Sequence, residues 1–101
     1  MRRKYKIVSI VHSGSRGERG TPVTENKYDG VIGCEVRFDP DDIHIDYGLK
    51  MDFVPWAHRL YDWWTISNVQ SVDYDDEDNI LVIETCNSIY YLADLGGEDK
   101  S

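Results

Sequence analysis

The chain has 101 residues, with 11 Lys+Arg, 19 Asp+Glu and a formal net charge of -8. That length holds one hydrophobic core, which excludes a large multi-domain enzyme. Aromatic residues at 12% exclude a disordered acidic tail, and no apolar run approaches the roughly 20 residues of a spanning helix.

Tyr5 to His12 reads as the first strand, rich in Ile7, Val8, Ile10 and Val11 and free of breakers. The basic start before it resembles a signal n-region. The apolar stretch Ile7–Val11 is too short for an h-region, so a cytosolic protein is expected. Ser13 to Lys27 is a loop punctuated by Gly14, Gly17, Gly20 and Pro22. Its length makes it functional or mobile.

Val31 to Phe38 reads as the second strand, entered through Asp29-Gly30, with Gly33 marking a bulge or bend. Ile43 to Phe53 shows period two throughout: Ile43, Ile45, Tyr47, Leu49, Met51 and Phe53 against His44, Asp46, Gly48, Lys50 and Asp52. This pattern predicts a strand with one buried and one wet face, bent or split at Gly48. From Pro55 to Trp64, Trp56, Leu60, Trp63 and Trp64 fall at helical spacing, which predicts one helical turn or an irregular aromatic lid. Thr65 to Tyr74 returns to strand character. Residues 75–79 form an acidic turn, Ile80 to Thr85 a buried strand, 86–88 a tight turn, and Ile89 to Leu92 the closing strand. The expected fold is all-β: an SH3-like or partly open small barrel of five to six strands over residues 1–95. Residues 96–101 are expected to be a polar, flexible tail.

Charge along the chain is uneven. Residues 1–27 carry seven basic and two acidic side chains, a balance of +5, and residues 28–101 carry four and seventeen, a balance of −13. A body of that sign repels phosphate and suits a basic partner. Only the head (Arg2, Arg3, Lys4, Lys6) and the loop (Arg16, Arg19) offer a route to nucleic acid.

Catalytic and metal motifs fail on inspection. The glycine loop ends in Gly20-Thr21-Pro22, not in the Gly-Lys-Ser/Thr of a phosphate loop opening a helix. Asp73, Asp75, Glu77, Asn79 and Glu84 have EF-hand spacing, but Asp78 stands where glycine is needed and the flanks read as strands. Asp42, His44 and Asp46 alternate on one strand face without a further ligand cluster. Cys34 and Cys86 both read as buried, inert thiols, so no cofactor and no catalytic residue is assigned. What remains is an acidic run, Asp73, Asp75, Asp76, Glu77 and Asp78, and the aromatic pair Trp63 and Trp64. The rings have two readings, a binding surface or the closure of one end of the core, and one Trp can serve each.

Trp64-Thr65-Ile66-Ser67-Asn68-Val69, then Ile80 to Thr85, then Asn87-Ser88-Ile89-Tyr90, resembles the ending of small proteins from phages and mobile elements of Gram-positive gut bacteria. Their usual ending is a Thr-Ser-x-Val strand, an acidic hairpin and Thr-x-Asn-Ser-x-Tyr. Here Ile66 intrudes between Thr65 and Ser67. Tyr5-Lys6-Ile7-Val8 and Tyr28-Asp29-Gly30-Val31-Ile32-Gly33 are similar to their opening. The resemblance covers about half the chain and implies a β-barrel accessory protein with no catalytic residues to carry over. By genomic analogy it points toward small acidic inhibitors of host defence nucleases, including anti-CRISPR proteins that imitate nucleic acid. The expectation is a non-enzymatic acidic binder of a basic protein such as a nuclease or DNA-binding protein, with no membrane partner. A nucleic-acid-binding module is the alternative.

Overall fold

The computed structural model describes residues 2–25, 28, 30–54, 57–58 and 61–97. Seven strands form one open antiparallel sheet: β1 (Arg3–His12), β2 (Glu35–Phe38), β3 (Leu49–Phe53), β4 (Trp63–Ile66), β5 (Val69–Asp75), β6 (Ile80–Thr85) and β7 (Ser88–Gly97). The order across the sheet is β4-β3-β2-β1-β7-β6-β5. The first and last strands therefore pair at the centre, and two antiparallel meanders extend to either side. Helix among the described residues is confined to 3-10 turns, and the Pro40–Asp42 turn is capped where the Asp39 carboxylate accepts from the Asp41 amide. None is long and apolar enough to cross a membrane.

Alternation builds the core. Tyr5, Ile7 and Ile10 of β1, Val36 and Phe38 of β2, Leu49, Met51 and Phe53 of β3, Leu81 and Ile83 of β6, and Tyr90 and Leu92 of β7 share one buried cluster. Ile66 and Val69 add β4 and β5 to it. A flat sheet cannot bring seven strands to one cluster, so the sheet curls around its inward face. With no α-helix among the described residues to cover that face, curling is how the apolar side chains leave water.

Several extents differ from the sequence pattern. Seven strands replace the expected five to six, because Thr65–Tyr74 breaks at Ser67–Asn68 into β4 and β5. Trp63 and Trp64 belong to β4, not to a helical turn or lid, since their backbones pair with Asp52 and Met51 of β3. The rest of that expected segment includes residues 55, 56, 59 and 60, which lie outside the described residues. The second strand starts at Glu35, because Gly30 and Gly33 adopt left-handed φ values of 76° and 95° and turn the chain first.

Of the long period-two segment, only Leu49–Phe53 is a strand. Ile45 and Tyr47 are exposed, and Asp46 has φ 73°. That segment crosses to the far edge instead, where Asp46 N–H donates to the Val69 carbonyl (2.8 Å) and Val69 N–H to the Tyr47 carbonyl (2.9 Å). β7 runs on to Gly97, so Gly96 and Gly97 lie in the ladder and not in a tail; 98–101 fall outside the described residues.

Gly48 sits where the crossing segment enters β3. A Cβ there would lie 2.9 Å from the Ile66 carbonyl oxygen, a backbone atom of the paired strand. Gly48→Ala is expected to lose about 1–1.5 kcal/mol through the forced shift of β3 against β4. A lowered urea midpoint at unchanged slope is the expected reading, and an unchanged midpoint would show that the strands yield freely.

The glycine-rich loop is tied down. His12 N–H donates to the Thr21 carbonyl (2.8 Å), Gly20 N–H to the His12 carbonyl (2.9 Å), and Val11 bridges Pro22. Ser13 and Ser15 hydroxyls donate to the Cys86 carbonyl at 3.1 and 2.9 Å, fastening the loop to the β6–β7 turn. Both cysteines are free thiols. Cys34 is buried, as expected, and burial raises its pKa. Cys86 is exposed instead, because it occupies the turn and not a strand.

Candidate functional site

The β5–β6 hairpin carries the acidic run. β6 alternates cleanly, with Leu81, Ile83 and Thr85 inward, and holds β5 in register from Ser71↔Glu84 to Asp75↔Ile80. The tip is self-capped: the Asp75 carboxylate accepts from the Glu77 and Asp78 amides at 3.0 and 3.3 Å. Asn79 takes the left-handed conformation (φ 55°) that closes the turn. Beyond Val69, every residue of β5 is exposed, on both faces. Asp73, Asp75, Asp76, Glu77 and Asp78 are all exposed, and none makes an ion pair with another described residue.

The basic residues fare differently. Arg19 makes a two-pronged pair with the Glu84 carboxylate (2.7 and 2.8 Å) and also donates to the Ser13 carbonyl. That pairing, chiefly its hydrogen bond, holds the Glu84 carboxyl below its usual range. Arg3 donates to Asp94 at 3.1 Å, Arg2 to Asp52 at 3.0 Å, and Arg16 stands 3.9 Å from Glu25. Lys4 and Lys6 lie opposite Arg37 and Glu35 on the ladder. The six are not gathered on one surface. Arg2–Lys6 stand at one end of β1 and the Arg16/Arg19 loop follows its other end, and ten residues of strand span roughly 30 Å.

The two tryptophans part company. Trp63 is 54% exposed, with the Lys50 ammonium 5.4 Å from its ring centroid. It borders an open depression of about 470 Å³ lined by Tyr61, Asp62, Trp63, Trp64 and Thr65. Trp64 points inward, packed on the core with ring contacts to Tyr28 and Tyr61 at 6.2 and 6.1 Å. Its buried indole N–H has no hydrogen-bond partner of ordinary geometry among the described residues, although the Tyr90 hydroxyl is close enough to interact with it. Nearby, Tyr28 and Ser88 hydroxyls bond at 2.8 Å, and burial raises the Tyr90 pKa. One ring thus closes the core and the other faces solvent. Trp63 and the acidic tip lie on the two opposite edge strands, β4 and β5.

Asp94 is a feature the sequence pattern missed. It follows Tyr90 and Leu92 at the next inward position of β7, and its side chain is only 8% exposed. Burial alone would raise its pKa. The Gly96 amide, the Arg3 guanidinium and the Tyr74 hydroxyl outweigh that and hold the carboxyl below its usual range. The signal was present as a lone acid continuing an apolar alternation, which places a charge inward near a strand end. Among the described residues, no group of three or more His, Cys, Asp or Glu could hold a metal ion. Comparison with family models, curated proteins and solved structures finds no match to this chain.

Proposed function

We propose that this chain is a non-enzymatic binding protein whose β5–β6 hairpin docks its acidic end on a basic protein surface. The observation that carries this reading is the asymmetry of pairing. Arg2, Arg3, Arg16 and Arg19 have carboxylate partners within the fold, whereas Asp73, Asp75, Asp76, Glu77 and Asp78 have no ion-pair partner among the described residues. Unpaired like charges on a projecting hairpin create a field that steers a cationic partner and is weakened by salt. Closely spaced carboxylates on a stiff ribbon also suit a groove built for phosphates, which makes a nuclease or DNA-binding protein the fitting partner class. Trp63, half exposed beside Lys50, supplies an apolar contact at the other edge, and Trp64 supports it from the core. In this reading the curled sheet is a partly open barrel of SH3-like character, with the hairpin projecting from it.

Binding to a Lys/Arg-rich polypeptide and to duplex DNA, titrated in parallel at low and moderate salt, tests the proposal. The expected result is salt-sensitive binding of the polypeptide. It should weaken at least about tenfold in the triple variant Asp76→Lys, Glu77→Lys, Asp78→Lys, which spares the Asp75 cap. Unchanged affinity in that variant overturns the proposal. Binding of DNA that weakens in Arg16→Ala and Arg19→Ala would transfer the function to the nucleic-acid alternative.

A further inference from the structure

We infer that the outer edge of β5 accepts an extended segment of the partner as an added strand, and that this segment alternates apolar and basic side chains. The inference rests on the acidic-docking reading and names the geometry of the docked segment. β5 ends the sheet order, so among the described residues no strand lies beyond it. At Val69 its edge is taken by Asp46 and Tyr47, and the pairing stops there. From Ser71 to Asp75 the register with β6 is one-to-one and unbulged, leaving a straight, available edge of backbone N–H and C=O groups.

The side chains along that edge specify what fits it. Opposite residues of an antiparallel pair point to the same face, so Val72 beside Ile83 and Tyr74 beside Leu81 point inward. They remain 38% and 44% exposed for want of a neighbour. Ser71, Asp73 and Asp75 point outward. An added strand would cover Val72 and Tyr74 with its apolar residues and set Lys or Arg against Asp73 and Asp75.

The same pattern argues against a second copy as the occupant. Pairing two β5 edges brings the carboxylates of Asp73 and Asp75 into cross-strand proximity, and like charges there are destabilising. Edges protected against promiscuous pairing usually carry Lys, Pro or a bulge. Between Ser71 and Asp75 this edge has no Lys, Pro or bulge and its charged residues, Asp73 and Asp75, are both acids, so it repels its own kind and remains open to a basic strand.

The test uses the full chain and a synthetic peptide of about nine residues alternating Lys and Val, long enough to match β5. Two further versions carry N-methyl groups on either the Lys or the Val nitrogens, which keeps charge and apolar surface but removes one edge's donors in each. The expected result is at least about a tenfold loss of affinity in one of the two, from several lost backbone hydrogen bonds. Amide exchange at Ser71–Asp75 should slow with the parent peptide. Equal affinity of all three peptides overturns strand addition and leaves acidic docking standing. Absence of binding by every version at low salt overturns both.

Discussion

Leu92→Ala is expected to cost about 3–4 kcal/mol of folding stability. Leu92 is fully buried in β7 and lies between Ile7 of β1 and Leu81 of β6 on the ladder. It joins the two meanders at the point where they meet. Removing its side chain loses the transfer free energy of three carbons and leaves a cavity that neighbouring strands, fixed by their hydrogen bonds, cannot collapse to fill. A small domain has a total stability of roughly 5–15 kcal/mol, so this one change removes a large share. The thermal midpoint should fall by on the order of 15–20 °C. Leu95→Ala is the matched control. Leu95 sits three residues later in the same strand but is exposed, and its truncation should fall within about 0.5 kcal/mol of the parent. Equal losses at the two positions would show that β7 does not hold the register described here.

The contrast between Leu92 and Leu95 also shows what local pattern can resolve. Ile80–Thr85 is legible in full, because a short apolar, β-branched run flanked by turn residues reads as a buried strand. Ile43–Phe53 alternates over eleven residues, yet its first half leaves the sheet. What decides this is a parallel bridge from Ile45 to Val69, a contact no local window contains. β7 extends past Leu92 because Ala93 and Asp94 pair with Lys6 and Tyr5, again a partner distant in sequence. The acidic run was legible as a solvated hairpin, since adjacent carboxylates repel and solvent is their cheapest environment. Neither the pairing of Arg19 with Glu84 nor which of Trp63 and Trp64 turns inward was legible. The first depends on a loop folding back across the β6–β7 turn. The second depends on the pairing of β4 with β3.

Asp94 carries the second large effect, and it is pH-dependent. Asp94→Ala leaves the Arg3 guanidinium, the Gly96 amide and the Tyr74 hydroxyl without their shared acceptor. Arg3 and Tyr74 can turn to water, because both are partly exposed, so the expected loss is about 2 kcal/mol and not the larger penalty of a sealed ion pair. Tyr74→Phe removes one donor to Asp94 and should cost less than Asp94→Ala. The sign of the pH effect follows from the direction of the shift. The folded-state pKa of Asp94 is lowered, as is that of Glu84 beside Arg19. Their stabilisation is therefore complete above the unfolded carboxyl values near 4 and disappears as pH falls through the folded ones. Urea midpoints of the parent should decline from about pH 5 downward, and Asp94→Asn should flatten the acid limb while lying below the parent at pH 7. Arg3→Met should flatten it less, because the Gly96 amide and the Tyr74 hydroxyl still favour the ionised carboxyl. An acid limb equally steep in Asp94→Asn would place the controlling carboxylates elsewhere, with Glu84→Gln as the next variant to measure.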